Sequence, residues 1–78
     1  METTAVLASL SALAHETRLA AFRRLVQRGP AGMAAGAIAE ALDVPAPTLS
    51  FHLAALERAG LVASRREGRS VVYAADYA

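Results

Sequence analysis

The stretch AGAIAEALDVPAPTLSFHLAALERAG, residues 35–60, decides the fold of this chain. Its pattern predicts a short helix over residues 35–42, a turn at residues 43–45 and a longer helix over residues 46–59. Pro47 suits the first position of the longer helix, because the N–H that proline lacks has no helical partner there. A short helix, a tight turn and a longer helix form a helix-turn-helix unit, whose second helix can enter the major groove of DNA.

Two further helices are predicted before this unit. The first covers about residues 4–14, and either Thr3 or Thr4 can cap its start. The second covers about residues 16–28. A glycine–proline pair follows it and ends it, because glycine takes the left-handed cap and proline cannot continue a helix.

A β-hairpin is predicted after the helix-turn-helix unit. Gly60 can end the longer helix in the left-handed conformation, and residues 61–65 and 70–73 then read as two short strands. Gly68 supplies the positive φ that the turn at residues 66–69 needs. The expected fold class is therefore mainly α with a small β-hairpin (α+β), a winged helix-turn-helix in which the hairpin is the wing.

The composition limits the kinds of protein that the chain can be. Its 78 residues suffice for a single domain, residues 1–78. Hydrophobic residues make up 55% of it, but many are alanines that bury little area, so we expect a partner subunit to cover part of the core. The absence of cysteine excludes disulfides, zinc–thiolate sites and thiol catalysis. With no signal peptide and no apolar run of membrane-spanning length, a cytoplasmic protein without membrane contact is expected.

The placement of positive charge is more informative than its total. The net charge is only +1, but all eight cationic residues are arginines, and Arg65, Arg66 and Arg69 crowd together at the predicted hairpin. On charge alone, such a run is more often a solvated turn. Beside a recognition helix, however, these arginines can reach backbone phosphates or the adjacent minor groove, with Glu67 orienting one of them.

The longer helix has an outward face opposite its leucine stripe. Turning the helix at about 100° per residue places Ser50 on the flank of that face and five residues on the face itself, namely Pro47, Thr48, Phe51, Ala54 and Arg58. Thr48 and Ser50 can hydrogen-bond base edges or phosphates, and Thr48 and Phe51 can touch a thymine methyl. For Phe51, packing against the wing or a neighbouring chain is the alternative, because an outward aromatic ring needs a partner.

The remaining polar residues show no catalytic or metal-binding pattern. His15 and His52 lie far apart in the sequence without supporting carboxylates, so we assign neither a chemical role. His52 is interpreted as a structural residue, with a phosphate contact as the alternative. Arg18, Arg23 and Arg24 are interpreted as solvated residues of the second helix, one of which could meet a phosphate. Without a nucleophile–base pair or a phosphate-binding loop, we expect no enzyme, no cofactor and no metal site.

Three segments carry a resemblance to a known family. They are LAHETRL at residues 13–19, LSFHL at residues 49–53, and GLV at residues 60–62 followed by RREGR at residues 65–69. Together they resemble the ArsR/SmtB family of bacterial winged-helix repressors, over nearly the whole chain. The resemblance implies a homodimer that binds a partly palindromic operator in double-stranded DNA and releases it when a signal arrives.

Two departures from the family's pattern bear on the signal and on the dimer. Metal-sensing members carry cysteines beside the first helix of the helix-turn-helix, where this sequence has Ala34 and Gly36, so no metal is expected there. A second type of metal site lies on a C-terminal helix after the wing, which in the family also pairs with the first helix to form the dimer. No such helix precedes Ala78, so either the chain is a truncated or unusually short member, or its dimer relies on the N-terminal helix.

The resulting hypothesis is a dimeric repressor that binds DNA through residues 46–59 and the wing at residues 65–69. One rival from another class remains. In that alternative the winged helix is a protein-interaction module, and Phe51 is the residue that inserts into the partner.

Overall fold

The computed structural model describes residues 2–76, which form four α-helices and a three-stranded antiparallel sheet. The strand order in the sheet is β1-β3-β2. The elements in chain order are α1 (Thr3–Leu13), α2 (Glu16–Arg28), β1 (Met33–Ala34), α3 (Ala35–Leu42), α4 (Ala46–Arg58), β2 (Val62–Glu67) and β3 (Ser70–Ala75). This arrangement confirms the expected winged helix-turn-helix, with α3 and α4 as the helix pair and β2 and β3 as the wing.

The first two helices begin with side-chain caps that the sequence reading did not identify. The Glu2 carboxylate accepts a hydrogen bond from the Ala5 N–H at 3.1 Å, so the prediction of a cap at Thr3 or Thr4 was wrong. The negative charge of this carboxylate also interacts favourably with the positive end of the helix dipole. His15 caps α2 in the same manner through its Nδ1 atom.

The turn between α3 and α4 is made by a left-handed residue and a proline. Asp43 has a φ of 55°, a conformation that aspartate tolerates better than most residues, and it ends α3. The Val44 N–H then donates to the Ala39 carbonyl at 3.0 Å. The prediction placed Pro47 at the first position of α4. Because α4 begins at Ala46, Pro47 is instead its second residue. Neither position requires a helical N–H, so the proline fits equally well.

The short strand β1, which adds a third strand to the wing hairpin, was predicted as loop. It has two residues, Met33 and Ala34, which pair with Tyr73 and Val72 of β3. A segment this short carries no readable alternation, and only the pairing with β3 defines it. The wing strands also extend further than predicted, so the turn shrinks to two residues, in which Gly68 has the expected positive φ of 63°.

The core lies between α2, α3, α4 and the first residue of β2. Its largest fully buried side chains are Leu25, Ile38, Leu49, Leu53, Leu56 and Val62. Three of these are the leucines of α4, which confirms the inward stripe. In contrast, α1 buries only Ala12 and leaves Leu7 and Leu10 about 60% exposed. The apolar side of α1 is therefore largely open to solvent.

Within residues 2–76, no helix has both the length and the apolar character that crossing a membrane would require.

Candidate nucleic-acid interface

The outward face of α4 is open along the first half of the helix. Because Leu49, Leu53 and Leu56 fix the opposite side of the helix in the core, this face cannot turn inward. Four residues predicted for the site are all exposed on it or on its flank, namely Pro47, Thr48, Ser50 and Phe51. The surface of α4 therefore carries two hydroxyl groups and an aromatic ring close together.

One flank of this face adjoins the wing. The Ser64 hydroxyl of β2 donates to the Glu57 carboxylate of α4 at 2.8 Å. Ser50 precedes Glu57 by two helical turns and so lies on the same side of α4. Since side chains alternate along a strand, Arg66 continues the helix-facing side of β2 from Ser64 towards the tip of the wing.

The three wing arginines have different environments. Arg65 lies on the other side of β2, where its guanidinium donates to the Glu67 carboxylate and to the carbonyls of Pro30 and Ala31, the latter at 2.7 Å. These contacts use three of the five N–H donors of an arginine. Glu67 therefore orients Arg65, as predicted. Arg66 and Arg69 are exposed and make no hydrogen bond or ion pair with any of residues 2–76.

The other flank of α4 adjoins the start of α2 through a cluster of four side chains. The Arg18 Nε donates to the His52 Nδ1 at 3.0 Å, and the Arg18 guanidinium carbon lies 5.8 Å from the centre of the Phe51 ring. The His52 ring lies 4.3 Å from that of His15 and 5.7 Å from that of Phe51. His52 is only 6% exposed, which supports its interpretation as a structural residue.

The interpretation of Arg18 as a solvated residue was wrong, because it is half-buried against α4. The sequence held one indirect signal for this contact. His52 is near the apolar stripe of α4, and a buried histidine needs a hydrogen-bond partner from a neighbouring element. The sequence could not show which element supplies that partner.

Burial and nearby positive charge determine the protonation of His52. Burial lowers the pKa of His52, and the neighbouring His15 and Arg18 lower this pKa further. The neutral form is therefore favoured. Because Nδ1 accepts the Arg18 hydrogen bond, the ring proton resides on Nε2.

No side-chain arrangement within residues 2–76 brings together three or more histidine, cysteine or acidic groups that could bind a metal ion. Ala34 and Gly36, at the positions where metal-sensing relatives carry cysteines, offer no side-chain ligand.

The fold and this surface define a winged helix-turn-helix domain, and comparisons with known proteins agree. The family model described as a helix-turn-helix domain matches residues 13–65. A comparison with curated proteins gave no match.

Three solved structures illustrate the similarity. HlyU from Vibrio cholerae is 32% identical, with a TM-score of 0.87 over 97% of this chain and 82% of that one. The homodimeric winged helix-turn-helix DNA-binding domain of Mb0332 from Mycobacterium bovis, a possible ArsR-family transcriptional regulator, is 38% identical, with a TM-score of 0.84 over 92% of this chain and 64% of that one. The transcriptional repressor BigR from Xylella fastidiosa is 30% identical, with a TM-score of 0.80 over 90% of this chain and 68% of that one.

The chain belongs to the ArsR family of winged helix-turn-helix proteins. It is a DNA-binding transcriptional regulator and not an enzyme.

Proposed function

We propose that the protein is a dimeric repressor that binds a partly palindromic operator, with α4 in the major groove and the wing on the flanking DNA. The observation that carries this proposal is the open face of α4, with Pro47, Thr48, Ser50 and Phe51 exposed between α2 and the wing. A helix with its side chains is similar in diameter to the major groove, which is about 12 Å wide.

Each of the four residues proposed for the site on α4 has a role that follows from its chemistry. Thr48 and Ser50 carry hydroxyl groups that can donate to or accept from base edges and phosphates. Phe51 supplies an apolar surface for a thymine methyl, and Pro47 lies at the end of the helix that first approaches the groove. In this proposal these residues distinguish one DNA sequence from another.

The wing supplies affinity without reading sequence. Arg66 and Arg69, which have no partner among residues 2–76, are the two wing arginines best suited to phosphate or minor-groove contacts. Arg65 keeps at most two N–H donors for DNA, because the other three hold it against Glu67 and the chain at Pro30 and Ala31. We therefore assign Arg65 mainly to fixing the wing, with a phosphate contact as its second role.

Dimerisation is proposed to use the exposed apolar side of α1. Val6, Leu7 and Leu10 are all exposed there, and contact with a second α1 would remove them from water. The similar domain of Mb0332 is homodimeric. A two-fold dimer places two copies of α4 in successive major grooves, about 34–36 Å apart, which is why a palindromic operator is expected.

The test is selection of duplexes from a randomised pool, followed by binding of the selected and of a scrambled duplex at several salt concentrations. We expect the selected sequence to have two inverted half-sites separated by one helical turn, and its affinity to fall steeply with salt. Binding that is indifferent to salt, or equal for both duplexes, would contradict the proposal. Because its ligand is DNA, we place the protein in the cytoplasm. We also propose that its signal is not a metal ion bound at residues 34–36.

A second candidate function is a protein-interaction module centred on Phe51. The observation in its favour is that Phe51 is 63% exposed while the net charge of the chain is only +1. If this alternative is correct, the selection yields no enriched duplex, and Phe51→Ala abolishes capture of a protein partner.

A further inference from the structure

Arg18 combines a fixed position with an unused positive charge. Its Nε donates to His52 at 3.0 Å, and its guanidinium carbon lies 5.8 Å from the centre of the exposed Phe51 ring. Two side chains of α4 thus hold this side chain of α2 at the edge of the outward face. An arginine that is restrained in this manner loses less conformational entropy when it binds a ligand.

The contacts of Arg18 orient it but do not neutralise it. Its partners are a neutral imidazole and an aromatic ring, and no carboxylate within residues 2–76 forms an ion pair with it. Its two terminal NH₂ groups make no hydrogen bond within the same residues. A half-buried arginine that served only to stabilise the fold would be expected to use these four donors on carboxylates or carbonyls.

Arg18 lies on the flank of α4 opposite the flank that adjoins the wing. Glu57 and Ser64 join one flank of α4 to β2, whereas His52 and Phe51 join the other flank to α2. A helix in the major groove has a phosphate backbone on each side, one from each strand. The wing accounts for one side only.

We infer that Arg18 is a DNA contact whose terminal N–H groups bind a backbone phosphate on the side of the major groove opposite the wing, and that His52 is the positioning residue that aims it. This inference rests on the proposed function, because it requires α4 to occupy the groove. It adds a contact from α2 to those proposed for α4 and the wing.

The role of His52 makes this contact sensitive to pH. Protonated His52 carries a hydrogen on Nδ1 and cannot accept from Arg18, and its positive charge also repels the guanidinium. The ionisable groups that act on His52 are His15, which caps α2, and Arg18 of α2, and α1 carries no titratable side chain. Acidification therefore releases Arg18 from its position.

The first test compares Arg18→Gln with Arg24→Gln, a matched control that removes the same charge from an exposed position later in α2. We expect Arg18→Gln to weaken binding about tenfold for both the selected and the scrambled duplex, because a phosphate contact does not read sequence. The slope of log K against log salt should fall by about one unit. Arg24→Gln should leave both quantities nearly unchanged. Equal effects of the two variants, or no effect of Arg18→Gln, overturn the inference.

The second test addresses the positioning role of His52. His52→Asn keeps an acceptor near the Nδ1 position but does not titrate, whereas His52→Leu removes the acceptor. We expect wild-type affinity to weaken only as the pH falls below the ordinary histidine pKa of about 6.5, because the pKa of His52 is lowered in the folded protein. His52→Asn should show no such decline, and His52→Leu should bind as weakly as Arg18→Gln at all pH values. Adding Arg18→Gln to His52→Leu should then cause no further loss.

Circular dichroism shows whether each variant is folded. If His52→Leu is unfolded, the pH profile of His52→Asn alone tests the positioning role of His52. Parallel pH profiles for wild type and His52→Asn overturn the positioning role. If the wild-type protein binds neither duplex, the proposed function itself fails. If the wild type binds the selected duplex, but Arg18→Gln binds as tightly as Arg24→Gln and the His52 variants bind as tightly as wild type, only this inference fails and the proposed function stands.

Discussion

A Cβ atom built on Gly32 would lie 2.4 Å from the carbonyl oxygen of Tyr73, which belongs to β3, the wing strand that pairs with β1. Gly32 also has a φ of 70° and is buried. The obstructing atom is backbone and cannot rotate aside as a side chain could. Because Gly32 has no side chain, the segment between α2 and α3 can approach β3 closely enough to pair with it as β1.

Gly32→Ala should therefore be strongly destabilising. The backbone of Gly32, with φ 70° and ψ −171°, lies in a region that is essentially restricted to glycine and costs an alanine about 1–3 kcal/mol, and the overlap with Tyr73 adds about 1–3 kcal/mol. Chemical denaturation measures the loss. Gly36→Ala is the control, because Gly36 is helical with nothing within 4 Å of the added Cβ, and it should raise stability by about 0.5–1 kcal/mol. Similar effects at the two positions would show that the close approach at Gly32 is not real.

Arg65→Ala and Arg69→Ala should both weaken binding to all DNA sequences and flatten the salt dependence, but by different routes. Arg69→Ala should lower the salt slope by about one unit and leave stability unchanged, since it removes only a phosphate contact. Arg65→Ala should also release the wing from Pro30 and Ala31, and so speed hydrogen exchange of the β2 and β3 amides. Unchanged exchange in Arg65→Ala would argue against its assignment to fixing the wing.

Thr48→Ala and Ser50→Ala should change which sequence is preferred and leave the salt slope as it is. Their hydroxyls carry no charge, so losing a base contact changes discrimination by about 1–3 kcal/mol at the affected base pair and releases no additional counterions. Repeating the duplex selection with each variant measures this shift. An affinity loss that is uniform across sequences would mean that these residues contact phosphates only.

Leu10→Glu should convert the protein to a monomer with little loss of fold stability. Leu10 is 60% exposed in the single chain, so its replacement removes little core packing, but it would place a charge in an α1–α1 interface. Sedimentation at micromolar concentration measures the mass, with Ala41→Glu on the exposed side of α3 as the equal-charge control. A dimer that survives Leu10→Glu would require an interface elsewhere.

Local signals in the sequence were sufficient to predict much of the fold. Leu49, Leu53 and Leu56 at helical spacing set the inward side of α4, and therefore also the outward side that carries the proposed site. Gly60 and Gly68 end the helix and turn the wing, as expected, with φ values of 78° and 63°. Each of these features is decided within a few residues, which is the range over which hydrophobic period and backbone preference operate.

Contacts between distant segments could not be predicted in this way. Arg18 and His52 are 34 residues apart, and Arg65 reaches Ala31 across the same separation. Nothing in the spacing near Arg18 or Arg65 distinguishes an arginine that is held by the protein from one that is free for DNA. Only the packing of α2 against α4, and of the wing against the end of α2, separates the two kinds of arginine.

The stability of the protein should depend on the protonation of His52. Its pKa is lowered in the folded state by burial and by the neighbouring His15 and Arg18, so the unfolded chain takes up the proton first as the pH falls. The stabilisation is fully present above the ordinary histidine pKa of about 6.5 and is lost as the pH falls through the lower, folded-state value.

His52→Asn should remove this pH dependence while keeping an acceptor for Arg18. The informative quantity is the difference in unfolding free energy between wild type and variant, measured by urea denaturation from pH 7.5 downwards, because all other side chains are the same in the two proteins. That difference should shrink or reverse in favour of the asparagine variant as His52 becomes charged. A difference that stays constant over the whole range would mean that His52 is equally easy to protonate in the folded and unfolded states, and that its bond to Arg18 does not depend on a neutral ring.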